Sequence, residues 1–175
     1  PKSMSGPFLR PAAAALPAGA GKSDLFAEGR IHLSTDAIHT VHPLEIDIPK
    51  GRLTVVTGVS GSGKTKTLIS LVSEAIEKEQ GNVVCIEKSR HLTYDIPYQA
   101  RLIRTDDYGV RGNTMLLGFL CGLHAGNFDI TNVFIDNLYK TIGADLAAAE
   151  DFVAWCAKFA ADNKMEITIT ISEDP

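Results

Sequence analysis

Gly58-Val-Ser-Gly-Ser-Gly63-Lys64-Thr65 is a complete phosphate-binding loop of the form G-x-x-x-x-G-K-[ST]. The apolar run Leu53-Thr-Val-Val-Thr57 leads into it and a helical pattern leads out. Cradling a triphosphate requires this order of strand, Gly-rich turn and helix N-terminus. Glycines let backbone N–H groups converge on phosphate oxygens, and the helix end adds its positive dipole. Lys64 is expected to reach the β- and γ-phosphates, and the Thr65 hydroxyl to hold Mg²⁺. The candidate nucleotide-binding residues are therefore Gly58, Ser60, Gly61, Ser62, Gly63, Lys64, Thr65 and Lys66. A glycine-rich turn carrying a surface lysine would leave the Lys-Thr pair without a reason.

Outward from the loop, the pattern alternates between short β segments and helices. Residues 31–34 and 44–48 read as strands, the second with Leu44, Ile46 and Ile48 alternating against Glu45 and Asp47. Pro49-Lys50-Gly51 is a turn signal before the strand at 53–57. Leu68, Leu71, Val72, Ala75 and Ile76 recur with helical spacing over about 64–80, and Gly81 stops that helix. Val83-Val-Cys-Ile86 is a continuous apolar run, as in a parallel strand buried on both faces. Residues 88–112 are mixed, with a short strand at Leu102-Ile103. A helix at 114–123, broken at Gly126-Asn127, leads to the buried strand Asn132-Val-Phe-Ile-Asp136. A helix over 144–163 then carries Ala149, Phe152, Val153, Cys156 and Phe159 or Ala160 inward, and 166–172 closes as a β-branched strand. Such alternation predicts an α/β fold: a mainly parallel sheet in three layers, as in phosphate-loop NTPases, with a β extension before the loop. The domain is expected over 24–175. The Pro-, Ala- and Gly-rich residues 1–23 read as a flexible leader, in which Gly19-Ala-Gly-Lys22-Ser23 imitates a loop end without a preceding strand.

A phosphate loop needs an acid that positions Mg²⁺, usually an Asp at the end of a buried strand. Asp136 fits that description; Asp129, before the strand, is the weaker rival. Hydrolysis also needs a group to orient or deprotonate water. Many ATPases place a Glu directly after the metal-linked Asp, whereas this chain has Asn137. Glu87, after the strand 83–86, is the alternative catalytic base beside Lys64, at the carboxyl edge where open α/β sheets bind ligands. Ser172 or Thr170 at the end of the last strand are further candidates for sensing the γ-phosphate. Arg90, Arg101, Arg104 and Arg111 are unranked candidates for transition-state charge, and supply from a second subunit is an alternative.

Bulk properties agree with a single globular unit of 175 residues, 45% hydrophobic and 22% charged, with mean hydropathy +0.04. A net charge of −4 does not support a dedicated nucleic-acid binder. Cys85, Cys121 and Cys156 have neither zinc-ligand spacing nor an even count, so buried reduced thiols in a cytoplasmic protein are the simplest account. No apolar run approaches the roughly 20 residues needed to span a bilayer. Trp155, beside Phe152 and Phe159, reads as helix packing.

The stretch Ala37-Ile-His-Thr-Val-His-Pro-Leu-Glu-Ile-Asp-Ile-Pro-Lys-Gly-Arg-Leu-Thr-Val-Val-Thr-Gly-Val-Ser-Gly-Ser-Gly-Lys-Thr65 resembles the nucleotide-binding part of the UvrA family, the ABC-type ATPases of nucleotide excision repair. The likeness, over residues 29–65, covers about a fifth of the chain. It implies ATP binding at Gly58, Gly61, Gly63, Lys64 and Thr65. Beyond Thr65 there is no L-S-G-G-Q signature, no C-x-x-C module and no Asp-Glu pair, and Lys66 replaces the usual Ser or Thr. The remainder resembles a compact RecA-like core, in which Glu87 echoes the placement of the catalytic Glu. The chain thus reads as an ABC-like front joined to a RecA-like back. The resulting expectation is a Mg-dependent ATPase using ATP and Mg²⁺, helped by a protein partner or a second copy. A small-molecule kinase and a non-hydrolysing, nucleotide-gated module are the alternatives, and the lack of an N-K-x-D motif favours ATP over GTP.

Overall fold

The computed structural model describes residues 26–35, 44–59, 61–78 and 81–173. The leader expected at 1–23, residues 37–43 of the UvrA-like stretch and Ser60 of the loop lie outside the described residues. Five strands form one sheet: β3 (Leu53–Val59), β4 (Asn82–Glu87), β5 (Arg101–Arg104), β6 (Ile130–Ile135) and β7 (Glu166–Glu173). Their order is β3-β7-β6-β4-β5, and every pairing is parallel. β1 (Arg30–Thr35) and β2 (Leu44–Pro49) pair antiparallel as a separate two-stranded sheet, the β extension expected before the loop.

Because side chains alternate across a strand, each parallel strand feeds two cores. Val84 and Ile86 of β4, Val133 and Ile135 of β6, and Ile167 and Ile169 of β7 point to one side. There they meet α2 (Asn113–Gly126), α3 (Leu138–Ile142) and α4 (Leu146–Asn163) through Leu116, Leu138, Phe152 and Cys156. Val83, Cys85 and Phe134 point to the other side, where α1 (Lys64–Lys78) presents Leu68, Leu71, Val72 and Ala75. Ile31, Leu33 and Ile48 of the β1–β2 sheet join that second core, so the extension packs on the α1 side. The arrangement has three layers, helices on both faces of a parallel sheet.

The helical and strand patterns read from sequence are present, with particular differences. The five-residue α3 falls directly after the strand that ends in Asp136 and carries too few residues for a periodic signal. The mixed stretch 88–112 contains β5 and a 3₁₀ turn, Thr105–Tyr108, that ends on Gly109 in the left-handed region. Asp145 caps α4, its Oδ1 accepting from the amides of Ala147 and Ala148 at 3.0 and 3.2 Å. Trp155 stacks on Phe159 with ring centroids 4.6 Å apart, in keeping with a packing role.

Cys85 and Cys156 are buried and free, but Cys121 is exposed on α2, which corrects the expectation of three buried thiols. Burial pushes the Cys156 thiol up to about 12. It also pushes the Cys85 thiol well above its ordinary value, and the charges of Asp136 and Glu87 add to the rise. A thiol-exchange assay on the native protein at neutral pH should therefore titrate one cysteine of three rapidly. Cys121→Ser should abolish that fast phase, and the other two thiols should react only on unfolding; a fast phase surviving in Cys121→Ser would contradict this packing.

Candidate functional site

Parallel strands deliver their carboxyl ends to one edge, and that edge carries a polar row. Paired registers align Ile86 with Ile135 and Ile135 with Ile169. One residue further on stand Glu87, Asp136 and Thr170. Arg104 of β5 pairs with Glu87, and Val56 of β3 pairs with Thr170. Alternation also sends Glu87 and Asp136 to the face on which Cys85 and Phe134 meet α1. The effect of both carboxylates on the Cys85 thiol has the same origin.

Between β3 and α1 the loop turns back so that its lysine folds over it. Gly61 and Gly63 take φ of 82° and 88°, in the left-handed region that favours glycine. A Cβ on Gly58 would stand 3.0 Å from Ser62 Oγ and 3.9 Å from Lys64 Nζ, so this glycine leaves the lysine its path. Lys64 is largely buried, and its Nζ donates to Gly58 O at 2.8 Å, Val59 O at 2.6 Å and Ser62 Oγ at 3.1 Å. Thr65 and Lys66 are exposed in the first turn of α1. The cradle has the donor set that an anionic ligand asks for: a lysine held over glycines at the N-terminus of a 15-residue helix.

Asp136, the expected metal-side acid, faces this loop. Thr65 Oγ1 donates to Asp136 Oδ1 at 3.2 Å across 71 positions of sequence. The Thr170 hydroxyl donates to the same Oδ1 at 3.2 Å and accepts from the Asn137 amide at 2.7 Å. The Asp136 amide is itself spent on Ile86 O at 2.9 Å. Asp136 is thus buried, tied to both neighbouring strands and in contact with the start of α1. Asp129, the weaker candidate, lies away from the loop: its carbonyl accepts from Asn82 N at the start of β4, the opposite edge of the sheet.

Glu87 is only 2% exposed. Its Oε2 accepts from the amides of His91 and Leu92 at 2.9 and 3.0 Å, which pins the segment after β4 to the edge. Its Oε1 is buried with no partner among the described residues. Thr105 Oγ1 after β5 and Asn137 Oδ1 after β6 are in the same position. Three unsatisfied buried polar atoms thus follow the carboxyl ends of three adjacent strands, where each would cost energy unless a ligand or water satisfies it. Among the candidate arginines, Arg104 is spent on Asp107 at 2.7 Å, while Arg90, Arg101 and Arg111 are exposed. Of the two hydroxyls at the end of the last strand, Thr170 contacts Asp136, and Ser172 pairs with Gly58 in the β3–β7 register.

The hydroxyls, the carboxylate and the loop fit a hydrated divalent ion brought in on a phosphate. Among the described residues no group of three or more His, Cys, Asp or Glu comes together. Any Mg²⁺ would then rest on Thr65, Asp136, the ligand's own oxygens and water, the coordination that this ion prefers. Among the described residues no helix is long and apolar enough to cross a membrane. The pinning of His91 and Leu92 by Glu87 left no trace in the sequence, because it joins a side chain to backbone amides of an irregular segment.

A stretch of 77 residues is 39% identical to UvrABC system protein A of Chlamydia trachomatis, and equally so to that of Chlamydia muridarum. It covers 39% of this chain and 4% of each of those much longer relatives, so the chain carries a UvrA-like segment rather than their whole architecture. No family model matches the sequence.

The Thr170 hydroxyl bridges a carboxylate and a backbone amide, so Thr170→Val removes both partners while keeping the shape. About 1–3 kcal/mol of stability should be lost, because the Asn137 amide is left without its acceptor. Urea unfolding would register this as a lower midpoint at unchanged slope; an unshifted midpoint would show that the bridge carries no energy.

Proposed function

We propose that this chain binds MgATP at residues 58–65 and is a slow Mg-dependent ATPase, ATP and water giving ADP and phosphate. The observation that carries the reading is the Thr65–Asp136 contact at 3.2 Å. It joins the loop helix to the end of a buried strand, the relation that a phosphate-bound Mg²⁺ demands of its two protein partners. The UvrA-like segment supports the same reading. A three-layer phosphate-loop NTPase fold is part of it, since the described sheet and helices are compatible with that architecture.

In this proposal backbone amides of Gly61, Ser62 and Gly63 surround the β-phosphate. Lys64 exchanges its bonds to the carbonyls of Gly58 and Val59 and to Ser62 Oγ for bonds to the β- and γ-phosphates. Lys66, exposed on the first turn of α1, adds positive charge nearby. Thr65 and Asp136 would hold Mg²⁺, which would supply positive charge against the charge developing on the phosphates. Glu87 is the water activator. Its Oε1 is open to receive a proton, while the two amides at Oε2 fix the carboxylate in place. The water oxygen bonds to the γ-phosphorus, the bond from that phosphorus to the β,γ-bridging oxygen breaks, and the water proton goes to Glu87. Arg104 is bound to Asp107, so faster turnover calls on an exposed arginine or a group from a protein partner or second copy.

The kinase alternative has no specific observation in its favour. The nucleotide-gated module has one, the neutral Asn137 where many ATPases carry an acid.

Calorimetric titration with MgATP should show saturable binding that weakens at least about tenfold in Lys64→Ala, by loss of its charged contacts to phosphate. Glu87→Gln should keep that binding and lose steady-state release of phosphate by about 10²-fold or more. Binding without turnover in the parent protein would transfer the assignment to the gated module. Phosphate release undiminished in Glu87→Gln would remove Glu87 from the mechanism.

A further inference from the structure

On one side the sheet ends in a strand that nothing blunts. β3 pairs with β7 along one edge, and along 53–57 its other edge makes no backbone bond among the described residues. Its seven residues, Leu-Thr-Val-Val-Thr-Gly-Val, include no charge and no proline. Val55 is 37% and Val59 59% exposed, whereas Val83, Val84 and Val133 of the inner strands are buried. An open edge presents free N–H and C=O groups that another extended backbone satisfies, so proteins ordinarily guard it with charge, proline, a bulge or shortness. The other edges of this chain are guarded in that way. β5 has four residues, two of them Arg101 and Arg104. β1 and β2 carry Arg30, His32, Glu45 and Asp47.

We propose that β3 pairs antiparallel with β3 of a second copy of this chain, joining the two five-stranded sheets across a two-fold axis. Charge selects this occupant. Pairing β5 with itself would bring arginines of the two copies together, and like charges across a ladder destabilise it. Among the described edges, β3 alone meets its own copy with no charge of either sign. Pairing centred on Val56, the middle residue, sets Val55 opposite Thr57 of the second copy, a β-branched pair of the kind sheets favour. Leu53 then stands opposite Val59. The contact is isologous, so it closes at two copies and does not propagate. Exposed Arg52 precedes β3 and the glycine-rich loop follows it, so antiparallel strands set Arg52 of each copy beside the loop of the other. There a guanidinium from the second copy meets the phosphates of a bound nucleotide. This role of Arg52 rests on the nucleotide-binding reading; the strand pairing does not.

The experiment is sedimentation equilibrium of the full chain over a range of concentrations, first without nucleotide. The parent should show a monomer–dimer equilibrium. Val55→Lys places a charge on the edge, as guarded strands do, and should raise the dissociation constant about tenfold or more. Thr57→Lys, also at an exposed position, is the second variant should the first not fold. Hydrogen exchange on the parent needs no variant: β3 amides directed away from β7 should be protected at high concentration and exchange faster on dilution. A parent that stays monomeric, a dimer indifferent to both substitutions, or β3 amides whose protection ignores dilution would each overturn the pairing. The last result would mean that residues of the same chain cover the edge. A non-hydrolysable MgATP analogue should tighten the parent dimer and leave that of Arg52→Ala as it was. A dimer no tighter with the analogue, in a parent that calorimetry shows to bind it, would remove Arg52 from the site. A parent that binds no analogue overturns the nucleotide reading instead, and the pairing is then decided by the measurements made without nucleotide.

Discussion

A parallel sheet buried on both faces leaves its strands little room for charge except at their ends. In β4, β6 and β7 the strand interiors are filled from two sides, with Val84, Ile135 and Ile169 on one and Cys85 and Phe134 on the other. Charged groups there would lose water without gaining partners. Glu87, Asp136 and Thr170 all stand at the carboxyl end, one residue beyond paired apolar positions. Asp136 is the junction of that edge. Its Oδ1 collects the hydroxyls of Thr65 and Thr170, and its backbone amide closes on Ile86 O, so helix α1 and strands β4 and β7 meet at one residue.

The glycine-rich loop between β3 and α1 inherits its position from this constraint. β3 is an edge strand of the sheet, paired only with β7 among the described residues, and α1 packs back over the sheet through Leu68, Leu71 and Val72. Thr65 at the start of α1 thereby faces Asp136. The fold brings a cation-bearing loop up to a buried acid, joined to it through Thr65. Lys64 folds back over the loop to satisfy the carbonyls of Gly58 and Val59. Glu87 accepts from two amides with Oε2 and holds Oε1 buried without a partner among the described residues, which ties the end of β4 to the segment carrying His91 and Leu92.

Much of this was legible one segment at a time. Apolar spacing in α1 and α4 gave their inner faces, because a helix buried along one stripe must repeat every three to four residues. The run Val83–Ile86 and the β-branched close of the chain announced buried parallel strands. Short or irregular pieces were not legible. α3 is shorter than two turns, the 3₁₀ turn after β5 has no period, and the exposure of Cys121 depends on which face of a strongly apolar helix finds the sheet. In α2 the sequence offers apolar residues nearly all round, so only packing through Leu116 and Leu120 selects the buried side.

By itself the sequence determined the loop, its strand and its helix, because glycines, a lysine and a threonine at fixed spacing specify a local backbone that needs no distant partner. It also supplied Asp136 and Glu87 as acids at strand ends, since alternation and apolar runs mark where a strand stops. Only the tertiary structure decided that β7 lies between β3 and β6, placing Thr170 where it binds both Asp136 and the amide of Asn137. Strand order follows from how helices cover a twisted sheet. That is a property of the whole packed chain, which no local run of residues encodes.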